Sequence, residues 1–159
     1  MVRVVLTWGE FGVTRVSDLN VKDLKRALIG AGLEVFRVRD DEVHLAERQN
    51  VQLMEAGVRA RAGGTPCVTV VARAQRNDAP ALNENALYDA IRLALVPLVD
   101  AGYREEKAAS REIRSVSDDH VLDVWYEVIF VREVTSMDEA VSEVKRALSV
   151  ERYIVPTKG

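Results

Sequence analysis

Two histidines, one cysteine and two carboxylates on one strand are the groups in this chain whose types could do chemistry. His44 and His120 each stand beside an acidic turn, and neither has a second ligand at helical or hairpin spacing. A metal site needs three or four converging ligands, so none is expected and both histidines are read as surface or half-buried side chains. Cys67 follows Pro66 and opens an apolar stretch. A reactive thiolate needs cationic neighbours or a helix N-terminus, so Cys67 is expected to be a buried, inert strand residue. Asp123 and Glu127 share a strand face, yet four strand residues at ~3.3 Å each hold them ~13 Å apart. That exceeds the widest carboxylate separation used in glycoside hydrolysis, ~9.5 Å. "GGTP" (63–66) has no following lysine or strand-to-helix context for a phosphate loop, and no Gly-x-Ser-x-Gly elbow occurs. The expectation is a protein without a catalytic set and without a cofactor.

Arginine offers a different chemistry. Arg37 and Arg39 share a strand face, Arg59 and Arg61 precede the Gly63-Gly64 turn, and Arg73 and Arg76 bracket a strand end. If they converged they could grip nucleic-acid phosphates, although only Phe36 supplies a nearby ring and it faces the other way. The bland alternative is a solvated, ion-paired sheet face.

The elements that must position these groups follow from periodicity. "VRVVLTW" (2–8) is dense in β-branched residues and reads as a strand, with a weaker one at 9–18. A helix over about 20–31 is capped by Asn20, carries Leu24, Ala27, Leu28 and Ala31 on one face, and stops at Gly32. "LEVFRVRDDEVHLAE" (33–47) reads as a hairpin turning at Asp40-Asp41. Residues 48–60 are ambiguous, because Val51, Met54 and Val58 have helical spacing while Gly57 limits a helix to about two turns. "CVTVVARA" is a buried strand and "QRNDAP" a turn. The longest helix starts at Asn83 with Leu87, Ala90, Ile91, Ala94, Leu95 and Leu98 inside, and must kink near Pro97. An exposed polar strand at 107–119 ends in an Asp-Asp turn. "SMDE" (136–139) is a capping box that starts a last helix, and "RYIV" (152–155) is a final short strand.

This order predicts an α+β fold, a mostly antiparallel sheet with helices on one face. Residues 66–155 follow the ferredoxin-like β-α-β-β-α-β order. Two lobes are expected, 1–62 and 63–159, or one continuous domain. The chain has 159 residues, a net charge of −3 and a single cysteine. Such a chain folds without disulfides, has no global attraction to nucleic acid or membrane, and shows neither a membrane span nor a signal peptide. A cytoplasmic protein, or one in a particle assembled there, is expected.

The most emphatic stretch is "HVLDVWYEVIFVRE" (120–133). Leu122, Val124, Tyr126, Val128 and Phe130 form an apolar face assigned to the core. The opposite face carries Asp123, Trp125, Glu127, Ile129 and Val131, with Trp125 and Ile129 as candidate anchors for a subunit contact. The helix, the hairpin and the proline-led "TPCVTVVARA", then "VDAGYREE", a polar strand and "LDVWYEVIF", together resemble the small tail-terminator proteins of long-tailed bacteriophages. The likeness lies in element order over about residues 20–131, and it departs where "RNDAPALN" enters the helix without a second long strand. It implies a ring-forming structural subunit and brings no site residues. The leading expectation is therefore a non-catalytic assembly protein, self-associating or docking in a larger particle. A nucleic-acid-binding module using the arginines is the alternative, and a small-ligand or enzymatic ferredoxin-like domain the third.

Overall fold

The protein is described by a computed structural model over residues 19–156. The strands expected at 2–8 and 9–18 lie outside these residues. Helix α1, Val21–Gly30, begins where the Asn20 side chain accepts a bond from the Asp23 amide at 2.9 Å. Helix α2, Glu84–Ala94, begins the same way, with Asn83 accepting from Ala86 at 2.9 Å. The chain breaks at Leu95 and resumes as α3, Val96–Asp100, because Pro97 has no amide to continue the ladder. α1 and α3 end in the same stop. Leu33 N donates to Leu28 O at 3.1 Å, and Tyr103 N donates to Leu98 O at 3.0 Å. The intervening glycines, Gly32 (φ 87°) and Gly102 (φ 100°), take the left-handed turn that such a stop requires. Helix α4, Met137–Leu148, is capped by Ser136 Oγ, which accepts from Glu139 N at 3.1 Å. The Glu139 carboxylate reaches one residue further than a capping box predicts, accepting from Thr135 N at 2.7 Å. That bond holds its pKa below the usual carboxylate value.

Six strands form one antiparallel sheet: β1 Val35–Arg39, β2 Glu42–Gln49, β3 Gln52–Arg61, β4 Cys67–Gln75, β5 Arg104–Arg114 and β6 Val121–Glu133. Their spatial order is β1-β2-β3-β4-β6-β5. The fold class is α+β, as patterning predicts. The β1–β2 hairpin turns at Asp40 (φ 54°), and Arg37 pairs with His44. Residues 52–61 are strand, not helix: Val58 is fully buried while Val51 is almost fully exposed, so the helical spacing was coincidental. Three residues of β3 lie between Arg59 and Glu55 where β2 has one between His44 and Ala46, and Gly57 (φ 78°) accommodates the excess.

The described residues divide into two compact units, 19–69 with 132–148, and 70–131 with 149–156. α4 packs on α1 and β3 within the first unit. In the first unit, Leu24, Leu28, Val43, Val58, Ala60, Val144 and Ala147 are buried. In the second, Leu87, Ile91, Leu98, Val128 and Phe130 are buried, and Tyr88 meets Tyr126 edge-on at 5.3 Å between centroids. The split β4-α2-β5 crossover with β6 between is present. The final strand is reduced to one parallel bridge, Tyr153 to Arg73, where the ferredoxin-like order has a full antiparallel strand. Among the described residues no helix is long and apolar enough to cross a membrane.

Candidate functional site: an arginine–tryptophan face

The second unit presents Trp125 on the sheet face opposite Tyr126, because successive strand residues point to opposite sides. Antiparallel pairing places Arg111 directly across from Trp125. On the other side of β6, Asn77 N bonds the Asp123 carboxylate, a register that brings Arg73 of β4 next to Trp125. The indole therefore sits between two guanidinium groups, Arg73 at 4.1 Å and Arg111 at 5.2 Å from the ring centroid. Arg111 is also held by Glu127 at 3.2 Å. The Arg73 Nε is buried with no hydrogen-bond partner among the described residues, and the guanidinium lies against the Trp125 and Tyr153 rings.

Tyr153 completes the patch. Arg73 N donates to Arg152 O at 2.8 Å and Ile154 N donates to Arg73 O at 2.7 Å, which brings the Tyr153 ring to 5.9 Å from the guanidinium. Its hydroxyl donates to the Asp78 carboxylate. Burial first, and then the bond to Asp78, push the Tyr153 pKa up to about 12, against a lowering pull from Arg73.

The other residues of this face have structural duties. Asp123 is buried and its Oδ1 accepts from Asn77 N at 3.0 Å and Val124 N at 2.7 Å. Glu127 is engaged by Arg111. Ile129 is half-buried and Val131 buried, so of the proposed anchors Trp125 and Ile129 keep accessible surface. Leu122 departs from its expected core position and is 51% exposed. The register slips there, with Ile113 facing Asp123 and Arg114 facing Val121, so Leu122 is an extra residue turned out of the alternation.

In the first unit, arginines form a charged layer on β1–β3. His44 is 2% exposed, a correction to the expected surface or half-buried histidine. Its burial follows from the layer above it: Arg37 Nε lies 3.2 Å from Nδ1 and Glu42 Oε1 lies 3.2 Å from Nε2. Glu55 lies within 3.6 Å of Nδ1 and also binds Arg37 at 3.3 Å and Arg59 at 3.4 Å. Arg61 reaches Glu42 at 3.7 Å, Arg39 is exposed, and Arg76 bonds Asn77. Within the first unit, Arg37, Arg59 and Arg61 are thus each engaged by a carboxylate. No His/Cys/carboxylate group among the described residues is arranged to hold a metal. His120 is exposed and Cys67 buried.

Arg111, Asp78 and Tyr153 escaped the sequence reading. Arg111 had no usable signal, since a hairpin centred on Asp118-Asp119 would set it opposite Tyr126, one residue away from the observed pairing with Trp125. Tyr153 had none, because a single parallel bridge leaves no periodic trace. Comparison with protein-family models, curated proteins and solved structures finds no match to this chain.

Proposed function

We propose that the protein is a non-catalytic assembly subunit that works in the cytoplasm or in a particle built there, and that the Arg73–Trp125–Arg111 face is a docking surface. The observation that carries this is a half-buried tryptophan held between two arginines, beside Tyr153, on the sheet side away from Tyr126. Tryptophan, tyrosine and arginine are the residues that dominate interface energies, and a rigid stack presents them with little entropy left to lose. A ring subunit of a phage tail or neck is the version that the tail-terminator resemblance implies. The nucleic-acid alternative is less well supported, because Arg37, Arg59 and Arg61 would each have to leave a carboxylate to bind phosphate.

Light scattering of the purified protein at micromolar concentration tests the proposal, with Trp125→Ala beside the wild type. Self-association or partner capture that Trp125→Ala weakens is the expected result. A strict monomer with no partner sinks it, and retention on DNA or RNA that falls steeply with salt moves the function to the alternative.

A further inference from the structure

Strand β5 is the last strand in the sheet order, and every residue in it except Ile113 is exposed. Among the described residues no strand pairs with its outer edge. An exposed sheet edge can template another strand through its backbone donors and acceptors. Its protection sits at one end, where four consecutive charges, Arg104 to Lys107, surround a register slip at Glu106. From Lys107 to Ile113 the register with β6 is unbroken, and no proline or glycine interrupts it.

We propose that β5 pairs antiparallel with β5 of a second copy of this chain, about a two-fold axis at Ser110. This rests on the assembly reading and names its partner and register. Two identical antiparallel strands can pair only with the axis on a residue, since groups that face the partner must meet groups that also face it. Charge then selects the residue. An axis at Ser110 makes the unbroken stretch Lys107–Ile113 symmetric about itself and opposes no like charges within it. An axis at Ala109 sets Lys107 against Arg111, two like-charge pairs in the dimer. An axis at Arg111 opposes that arginine to itself, and one at Ala108 runs into the slip at Glu106. Like charges directly opposite destabilise a strand pair.

A second feature lies along the same edge. Arg92 of α2 grips Glu105 of β5 through two bonds, at 2.8 and 3.0 Å, so that side of the helix faces the strand. Val96 and Val99 of α3, which follows α2, are 42% and 47% exposed. A second copy across β5 would bring the equivalent helices alongside each other and cover both valines.

The test uses the full chain with Ser110→Cys or Ala109→Cys under mild oxidation, with light scattering of the wild type and of Val99→Glu. Cys67 is buried and stays out of the reaction. Ser110→Cys is expected to form a disulfide-linked dimer and Ala109→Cys to remain monomeric on a denaturing gel. Val99→Glu is expected to weaken the dimer at least about tenfold with its thermal melt unchanged. Equal or faster cross-linking of Ala109→Cys overturns the register. An oligomer in which Ser110→Cys does not cross-link overturns the edge pairing while leaving the assembly reading in place, and a strict monomer overturns both.

Discussion

Substituting Trp125 separates what its two arginines contribute. Arg73 lies 4.1 Å from the ring centroid, half-buried, with its Nε shielded from water and from any other acceptor. A desolvated cation–π contact of this kind contributes about 1–2 kcal/mol, whereas an exposed one contributes about 0.5–1 kcal/mol. Arg111 is farther, at 5.2 Å, exposed, and shared with Glu127. Its coupling to the ring should sit near ~0.5 kcal/mol. Two double-mutant cycles measure this, Trp125→Leu with Arg73→Met and Trp125→Leu with Arg111→Met, by urea unfolding followed by circular dichroism. Leucine keeps much of the apolar area and removes the π face, and methionine keeps the stem of the arginine and removes its charge. The expected couplings are about 1–1.5 kcal/mol for Arg73 and about 0.5 kcal/mol for Arg111. Arg73→Met alone should cost less than Trp125→Leu alone, since it also removes an unsatisfied buried nitrogen. A coupling for Arg73 no larger than that for Arg111 would refute the claim that this face is organised around the Arg73–Trp125 contact.

Two further outcomes follow from polar groups that the fold has placed. Glu143 is 3% exposed and bonded to Arg132 and to Arg146, the latter at 3.0 Å. Glu143→Gln should lower unfolding stability by about 2 kcal/mol, below the range for a fully buried pair because both arginines reach solvent. A loss under about 0.5 kcal/mol in chemical denaturation would show the cluster to be ornamental. Tyr153 holds its proton to about pH 12 in the folded protein, above the ordinary ~10. The folded state therefore binds this proton more tightly than the unfolded one. The stability it contributes is complete below about pH 10 and is lost as pH rises toward 12. The tyrosinate absorbance difference between wild type and Tyr153→Phe should rise only near the top of that window, and Asp78→Asn should move it down. A midpoint at the ordinary tyrosine value would rule out the Asp78 bond.

Local rules were legible in the residues themselves. Asn20, Asn83, Ser136, Gly32, Gly102 and Pro97 mark helix boundaries because each acts on backbone groups one turn away or less. The period of two in 121–133 identified a strand with Tyr126, Val128 and Phe130 inward, and put Trp125 on the other face. The α+β class followed from the order of such segments. Where patterning misled, a register irregularity was responsible: the excess residues around Gly57 disguised β3, and the slip at Leu122 turned an apolar residue outward. Neither changes local composition, so neither leaves a mark that can be read along the chain.

The site lies at the limit of that legibility. Trp125 and each arginine could be named from their types, but not which of them would meet. Arg37, Arg59 and Arg61 were committed to Glu42 and Glu55 by the pairing of β2 with β3, and His44 was buried beneath them. Arg73 and Arg111 were brought to one indole from 52 and 14 residues away by the placement of β6 between β4 and β5. Sequence alone determined the elements, since those depend on neighbours within a turn or a pleat. Tertiary structure decided the partners, since a cross-strand contact depends on strand order and register, which are set by how distant segments bury their apolar faces together.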